Sequence, residues 1–526
     1  MMEKINRAQL NENLLPTYDY VVKQLGIEPK IQGKGIGLSW NFDATLEAYL
    51  HSNTTDFVGR ETWIRGFNEQ KPLLGVALET WPANNFYGYS EFTVGNTNNL
   101  GNGFGSLMFG SNILMVPPAE IWDLDFNMPY RAFVAAGGDH WSFQLGRDRL
   151  NWGAGTSGNL AMSDTLKYHN LARITTFSDR FKYTFVTSFF PHQMHYISDS
   201  KTNGAILGTG QDKRQTGLHL FMSHRLEGRL FKDKVGLALT ESIMYQSEEN
   251  YFDLRFLNPA AIFHNYYIRS NANSILGLEL DYTPIKGLNI YVQAAVDEFT
   301  MPGEPKATAT KAAYPEAFGV LAGVKGVLPF KQMVGHASLE FARTDPYLYL
   351  RYSEENNPTA GESDDFDEYG LNYVGVVREF TNTSGTYYNP GFLGYTYGND
   401  AIVVNLNGGV KSFGKWAANA NLFYMAHGTF DMFTVWRRVG GGNPLDVTTP
   451  TSNGSDALGN YHDKTGYKSR DAVSHTIVAG VKGSYQILDC LKAFGQLDYI
   501  NVINYKNKAG AKTHDVQLSI GVTYSI

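Results

Sequence analysis

The final stretch of the sequence alternates strictly between apolar residues and polar or small ones. The segment Val516–Ile526 reads VQLSIGVTYSI, with every second residue apolar. A strand that crosses a membrane needs about 9–11 residues, with one face toward lipid and the other toward a wet lumen. A half-buried strand of a soluble sheet would show the same period. The pattern therefore predicts a β-strand and leaves two environments open for it.

The same period recurs along most of the chain. Leu38–Leu50 and Trp416–Ala426 alternate almost as clearly. In the first of them, Asp43 and Glu47 share one face, which must look into a wet lumen because carboxylates are costly in lipid. Weaker alternation, separated by clusters of turn-forming residues, marks Leu73–Trp81, Phe86–Gly95, Tyr130–Gly137, Trp141–Leu150, Gly217–Leu226, Val235–Gln246, Ser274–Thr283, Leu288–Glu298, Gly319–Val327, Val334–Arg343, Ala401–Val410, His475–Tyr485 and Leu491–Asn501.

These segments predict an all-β fold, a transmembrane antiparallel β-barrel. We count about 16 strands and expect about 18, within a range of about 14–18, because single-chain bacterial barrels have even strand numbers. We assign the barrel to residues 34–526. Long extracellular loops are expected near residues 354–369 and 440–471, since both stretches are long, polar and rich in turn-forming residues.

Residues 1–33 show no alternation. Apolar residues from Leu10 to Leu25 fall near helical spacing, and Pro16 would start or kink such a helix. We expect a short N-terminal periplasmic helical arm, with a frayed tail as the alternative. The acidic stretch Glu362–Glu368 suggests a calcium site, but it lacks the spacing of an EF-hand, so a solvated loop is the preferred interpretation.

Composition excludes several other classes of protein. The mean hydropathy of −0.28 is uninformative, because a barrel hides its apolar residues by alternation. No run approaches the roughly 18 apolar residues of a transmembrane helix. The net charge of −7 gives no support to nucleic-acid binding, which requires a basic patch. Cys490 is the only cysteine, so no intramolecular disulfide can form.

The opening residues MMEKINRAQLNEN lack the apolar segment of a secretory signal. A cytosolic protein and the mature form of an exported protein would both begin in this way. The alternation favours the second interpretation. We therefore expect a mature protein of the cell outer membrane, with its signal peptide already removed and its strands in contact with the lipid bilayer.

The densest group of candidate ligand-binding residues lies in Gly146–Asp164, GRDRLNWGAGTSGNLAMSD. The expected strand places Arg147 and Arg149 on one face, where directed N–H groups suit carboxylates or sugar hydroxyls. Trp152 offers a flat apolar face of the kind that stacks on sugar rings. The alternative is an internal charge network of Arg147, Asp148 and Arg149 that braces the barrel wall. No Lys-Ser/Thr pair follows the glycines, so the segment is not a phosphate-binding loop.

At this motif the sequence resembles the Wzi-type capsule-assembly family of outer-membrane barrels. The family pattern is roughly G-R-x-R-x-x-W-G-P-G, and Ala154 stands here where the family has proline. Two later blocks are similar to the Bacteroidetes branch of that family. One comprises Phe256–Pro259, Ser270–Asn273 and Tyr291–Phe299, and the other is Glu340–Tyr349, EFARTDPYLY. The matching residues of the first motif are Gly146, Arg147, Arg149, Trp152, Gly153, Gly155, Gly158, Leu160 and Ser163.

The resemblance implies a barrel with about 18 strands and a role in holding surface polysaccharide at the cell. Some relatives serve gliding or larger outer-membrane assemblies, so a structural subunit of such an assembly is an alternative, as is a diffusion channel. The residues expected to bind the polymer, in the lumen or at its rim, are Arg147, Asp148, Arg149, Trp152, Glu340, Tyr347 and Tyr349.

Motifs for covalent chemistry are weak. His192 and His195 are spaced as two metal ligands, but no third ligand follows at a motif spacing. Asp297 and Glu298 are neighbours on a predicted strand and point to opposite faces, so they cannot act together as acid and base. We expect a non-enzymatic protein without metal or cofactor. Its expected partners are surface polysaccharide, the lipid bilayer and other outer-membrane proteins, but no nucleic acid.

Overall fold

The computed structural model places the larger part of the chain. The residues that it describes are 31–32, 36–53, 55–57, 71–96, 108–112, 124–125, 131–190, 218–247, 272–298, 316–330, 332–350, 352–353, 372–381, 385–432, 434, 436–437, 448–452 and 470–526, together with the single residues 15 and 18. The expected N-terminal arm falls almost wholly outside these residues, although Leu15 and Tyr18 are helical. The expected loop 354–369, with its acidic stretch, and most of 440–471 also lie outside them. Among the described residues, no helix is long and apolar enough to cross a membrane.

Eighteen antiparallel strands form one closed barrel, which confirms the predicted fold class. The last strand pairs with the first, from Asp43 opposite Ser525 to His51 opposite Gln517, and so closes the sheet. The strands are β1 Gly37–His51, β2 Leu74–Ala83, β3 Phe86–Asn96, β4 Ala132–Gly138, β5 Trp141–Asp148, β6 His169–Phe177, β7 Phe181–Phe190, β8 Leu218–Leu230, β9 Val235–Ser247, β10 Ala272–Ile285, β11 Leu288–Glu298, β12 Ala317–Phe330, β13 Met333–Thr344, β14 Ala401–Ser412, β15 Trp416–His427, β16 Ser474–Leu488, β17 Leu491–Ile503 and β18 Lys512–Ser525.

Burial along the terminal strand β18 decides between the two environments that its sequence left open. The apolar residues Val516 and Ile520 are 40% and 52% exposed on the outside, whereas Gln517 and Ser519 are each 1% exposed and face the interior. A soluble sheet would bury the apolar set instead. Apolar side chains outside and polar side chains inside are the arrangement of a membrane barrel.

Shorter strands lie at the barrel ends and inside it. Met108–Ser111 pairs with the end of β1, and Val374–Thr381 forms a hairpin with Gly385–Phe392. Ile31–Gln32 pairs with the start of β1, so the last residues of the expected arm are extended rather than helical. The remaining short elements are the strands Leu124–Asp125, Tyr352–Ser353 and Trp436–Arg437 and the 3₁₀ helix Tyr505–Asn507.

The two ends of the barrel differ in their connections. At one end, tight turns such as 231–234, 286–287 and 489–490 join neighbouring strands. At the other end the connections are long, and they include 149–168 and 345–400. Barrels of this kind place short turns on the periplasmic side and long loops outside. We call these the short-turn end and the long-loop end.

The long-loop half of the lumen is filled by an apolar core. Residues 149–168, which we call the inner segment, leave the wall after β5 and fold inward, where Leu160 and Met162 are 1% and 0% exposed. They pack with inward-facing residues of twelve consecutive strands, namely Leu171 of β6 and at least one residue from each of β7 to β17. The residues from β7 to β17 include Val186, Phe221, Met244, Ile275, Ala295, Leu321, Ala342, Val403, Phe423, Val478 and Ile500.

Candidate functional site

The inner segment is a compact loop whose glycines are required by its path. Trp152 donates its backbone N–H to Met162 O at 2.9 Å, which ties the two arms of the loop together. Gly158 has φ +135°, a conformation that residues with a Cβ rarely adopt. A Cβ on Gly155 would collide with the carbonyl oxygen of Gly158. The glycine-rich sequence therefore serves a tight internal turn.

Glu340 on β13 anchors the tip of the inner segment. Its carboxylate is 1% exposed and accepts the backbone N–H of Thr156 at 2.7 Å and that of Ser157 at 2.8 Å. The hydroxyl groups of Tyr291, at 2.6 Å, and of Ser157 also donate to it. Neutral donors thus surround this buried carboxylate in the described part of the chain.

Two further groups of the wall hold the same segment. Gln293 on β11 accepts Leu160 N–H at 2.9 Å and donates to Asn159 Oδ1 at 2.6 Å. The Tyr349 hydroxyl donates to Leu160 O at 2.6 Å, and Tyr349 N–H donates to Asp297 Oδ2 at 2.7 Å. The first and third blocks that suggested a family resemblance therefore meet inside the barrel, together with Gln293 and Asp297 of the second.

The buried tyrosines of the third block belong to the interior. Tyr349 is 0% exposed and stacks on Tyr373, with ring centroids 5.6 Å apart. Tyr347 is 4% exposed and packs edge-on against Phe430 at 5.4 Å. Both residues, like Glu340, are positioned to shape the lumen rather than to present a polar surface to a polymer.

The prediction that Arg147 and Arg149 share one strand face is wrong, because β5 ends at Asp148 and Arg149 lies beyond it. Arg147 points outward at the long-loop rim, where its guanidinium lies 3.9 Å from the Tyr168 ring centroid and donates to Asn170 Oδ1 at 3.2 Å. Arg149 is exposed. The two arginines therefore lie near the same rim without forming a ladder.

Asp148 takes part in an internal network of the kind expected as the alternative. Its carboxylate is 5% exposed and accepts Arg131 Nε–H at 2.7 Å and the Gln144 amide at 2.8 Å. It also accepts the backbone N–H of Arg149 at 2.8 Å. Asp148 thereby fixes the point at which the chain leaves the wall.

A cavity of about 460 Å³ lies between the inner segment and the short-turn end. Gly153 and Ala154 of the inner segment form its roof, and its walls come from β8 to β12. The half-buried Trp152 lies beside it, with its ring centroid 5.6 Å from the Arg225 guanidinium. Its polar wall residues are Arg225, Glu227, Arg229, Glu279, Asp281, Asn289, Tyr291, Gln293 and Lys325.

The sequence interpretation missed this cavity, although a signal was present. Arg225, Glu227 and Arg229 alternate along β8, and Glu279 and Asp281 alternate along β10. Charged residues at every second position of a membrane strand must share the lumen face. Such pairs could have indicated a charged lumen wall at the short-turn end.

No group of three or more His, Cys, Asp or Glu that could hold a metal occurs among the described residues. His192 and His195 lie outside them, as does the acidic stretch Glu362–Glu368.

No protein-family model and no curated protein matches the sequence. Among solved structures, the chain is similar to Wzi of Escherichia coli, an outer-membrane protein involved in group 1 capsule assembly that is described as a carbohydrate-binding β-barrel. The TM-score is 0.54 with 11% sequence identity, over 99% of this chain and 90% of that one. This likeness establishes the fold: the chain is built as an outer-membrane β-barrel.

Two further solved structures have lower TM-scores. OccD3 of Pseudomonas aeruginosa has a TM-score of 0.40 and 10% identity, over 95% of this chain and 94% of that one. The DcaP channel of Acinetobacter baumannii has a TM-score of 0.38 and 8% identity, over 95% and 100%. The predicted resemblance to Wzi-type barrels is thus confirmed for the fold, while membership of the Bacteroidetes branch stays a prediction.

Proposed function

We propose that this protein is an outer-membrane barrel that binds or anchors surface polysaccharide and performs no covalent chemistry. The observation that carries the proposal is the filled lumen at the long-loop end. An apolar core joins the inner segment to the inward faces of β7 to β17. Channels keep a polar, water-filled interior. A barrel filled in this way suits retention of a polymer at its outer surface better than passage through it.

The long-loop rim supplies the contacts in this proposal. The guanidinium of Arg147 lies 3.9 Å from the Tyr168 ring centroid, and the exposed Arg149 follows two residues later. Guanidinium groups donate several directed hydrogen bonds to hydroxyl or carboxylate oxygens. Each contact is weak, but a repeating polymer engages many barrels at once and gains strength through multivalency. The capsule-assembly protein with a similar fold binds carbohydrate.

The other candidate residues have supporting roles in this proposal. Asp148 holds the base of the inner segment, and Glu340 and Tyr349 hold its tip and far arm. Tyr347 packs in the interior beside Phe430. Trp152 lies on the cavity side of the inner segment. We assign direct polymer contact to Arg147 and Arg149, and positioning to Asp148, Trp152, Glu340, Tyr347 and Tyr349.

The test is carbohydrate retention by barrels purified from outer membranes in mild detergent. We expect the double variant Arg147→Ala, Arg149→Ala to retain polymer about two- to thirtyfold less strongly, because it loses two partly exposed charged contacts. The matched control is Arg180→Ala with Lys232→Ala, two exposed cations of the short turns. Equal retention by the rim variant and the control would contradict the proposal. A fixed set of protein partners without carbohydrate would favour a structural subunit.

Electrical recording separates this proposal from a diffusion channel. We expect the wild-type barrel to show no steady conductance in planar bilayers, because the core of β7 to β17 fills much of the lumen. A constant open state in wild-type protein would refute the retention proposal in favour of a channel.

A further inference from the structure

The cavity near the short-turn end has an unusual balance of charge. Arg225 pairs with Glu279, with a second contact at 3.1 Å, and Arg229 pairs with Asp281 at 2.8 Å. Lys182, from the neighbouring strand, pairs with Glu227 at 2.7 Å. These carboxylates are therefore each matched by a cation before any ligand is present.

Lys325 is not part of any of these ion pairs. It lies on the lumen face of β12, where its Nζ donates to Ala154 O at 3.3 Å and lies 5.3 Å from the Tyr291 ring centroid. Among the described residues, no carboxylate forms an ion pair with it. The lining residues themselves carry three cations and three carboxylates, but Glu227 is also paired with Lys182, which lies outside the lining. Lys325 is therefore the lining cation that forms no ion pair among the described residues, and it lies beneath the roof formed by the inner segment.

The rest of the wall alternates hydrogen-bond donors and acceptors. Of the paired groups, Arg229, Glu227 and Asp281 are 50%, 29% and 24% exposed and keep unused N–H groups and oxygen lone pairs, and Asn289 adds an amide. A hydroxyl group both donates and accepts, so a polyhydroxylated molecule can satisfy such a wall. Tyr291 and Trp152 add aromatic surface beside it. The volume of about 460 Å³ falls within the range of about 300–1,000 Å³ found for small-molecule sites.

We propose that this cavity binds a polyhydroxylated monoanion of the sugar-acid class, with its carboxylate on Lys325 and its hydroxyls on the walls of β8, β10 and β11. A neutral sugar would leave the Lys325 charge unmatched. A sugar phosphate, with a charge of about −1.5 to −2, would carry excess negative charge among three carboxylates. The walls of the cavity belong to the short-turn half of β8 to β12, so we place the source of its ligand on the periplasmic side. It is separate from the rim arginines and does not depend on the polymer proposal.

Calorimetric titration of the purified full-length barrel in detergent tests the proposal, with D-glucuronate as the probe. We expect D-glucuronate to bind at least about tenfold more tightly than D-glucose, acetate or glucose 6-phosphate, because it alone satisfies both the cation and the walls. Equal binding of acetate and D-glucuronate would overturn the sugar assignment. No difference between D-glucuronate and D-glucose would overturn the role of Lys325.

Variants locate the binding. Lys325→Met is expected to lower D-glucuronate affinity at least about tenfold, to the level of D-glucose, whereas Lys325→Arg stays within about threefold of wild type. The matched control Lys482→Met removes another lumen-facing lysine, on β16, and should change nothing. An equal loss in Lys482→Met would reduce the effect to general lumen charge and overturn the site. We expect D-glucuronate to bind the Arg147→Ala, Arg149→Ala variant as it binds wild type. The cavity proposal and the polymer proposal can then fail independently of each other.

Discussion

Removing the Glu340 carboxylate should release the inner segment from the barrel wall. In wild type the carboxylate accepts the backbone N–H groups of Thr156 and Ser157 and two hydroxyls, and it is 1% exposed. Glu340→Ala leaves the backbone N–H of the buried Ser157 without an acceptor, together with that of the exposed Thr156. At about 1–3 kcal/mol for the buried group, holding the segment closed becomes about 1–3 kcal/mol less favourable.

Hydrogen exchange measured by mass spectrometry reads this free energy directly. A loss of about 2 kcal/mol, the middle of that range, accelerates amide exchange about thirtyfold, and we expect that change in peptides covering residues 155–163. Strands far from the segment should exchange as in wild type, because their ladders are intact. Planar-bilayer recording should show intermittent conductance in Glu340→Ala, since a loosened inner segment leaves part of the lumen open.

Glu79→Ala is the matched control. Glu79 also lies on the lumen face and accepts a tyrosine hydroxyl, that of Tyr87 at 3.1 Å, but on the far side of the wall from the inner segment. It should leave exchange at 155–163 unchanged. If Glu340→Ala exchanges at the wild-type rate and remains silent in the bilayer, Glu340 does not hold the segment, and the filled-lumen argument fails with it.

Two further predictions concern the rim and the lipid face. Burial raises the pKa of Asp400 to about 6, so the folded rim holds the neutral carboxyl group more readily than the charged one. The stability that this gives the folded rim is fully present below about pH 4 and is lost as pH rises through 6. After correction for intrinsic rates, the amides of Phe430 and Thr451, which donate to Asp400, should exchange faster at pH 7 than at pH 5. Asp400→Asn should abolish that difference, and an unchanged pH dependence would rule out Asp400 as its source. Leu339 is 50% exposed on the outer face of β13. If that face contacts lipid, Leu339→Arg should make folding into lipid vesicles about 2–4 kcal/mol less favourable, as measured by urea titration. A titration unchanged from wild type would contradict a lipid-facing position.

Alternation predicted the barrel because every second residue of a strand faces lipid and has to be apolar. Where the inward-facing residues are polar, the sequence alternates clearly, as in β1 and β18. The alternation fails for His169–Phe177 and Phe181–Phe190, the two barrel strands that the sequence interpretation missed. In these strands the inward residues Leu171 and Val186 join the apolar core, at 2% and 0% exposure. Both faces are then apolar in places, and the period disappears.

The candidate site was predictable only in part. The sequence singled out Gly146–Asp164 as the densest group of candidate ligand-binding residues. Its period alone could not show that β5 ends at Asp148 and that the chain then turns into the lumen. The sequence predicted that Glu340 and Tyr349 bind a polymer. A polar residue on a lumen face gives the same sequence pattern whether it contacts a ligand or an internal loop, and in the structure both residues contact the inner segment. The cavity combines residues of β8, β10 and β12, and only the pairing register brings Arg225 beside Glu279.

The inner segment also sets an order of events for building the barrel. Thr156 and Ala161 hydrogen-bond to residues 184 and 212 positions later in the chain. Contacts over such separations form late, because the intervening chain must first be arranged. Leu160 and Met162 therefore wait as exposed apolar surface while β6 to β13 are added, and such surface is prone to aggregation. The growing sheet has to curve around the inner segment before β18 pairs with β1. The inner segment therefore packs against the wall as the barrel closes.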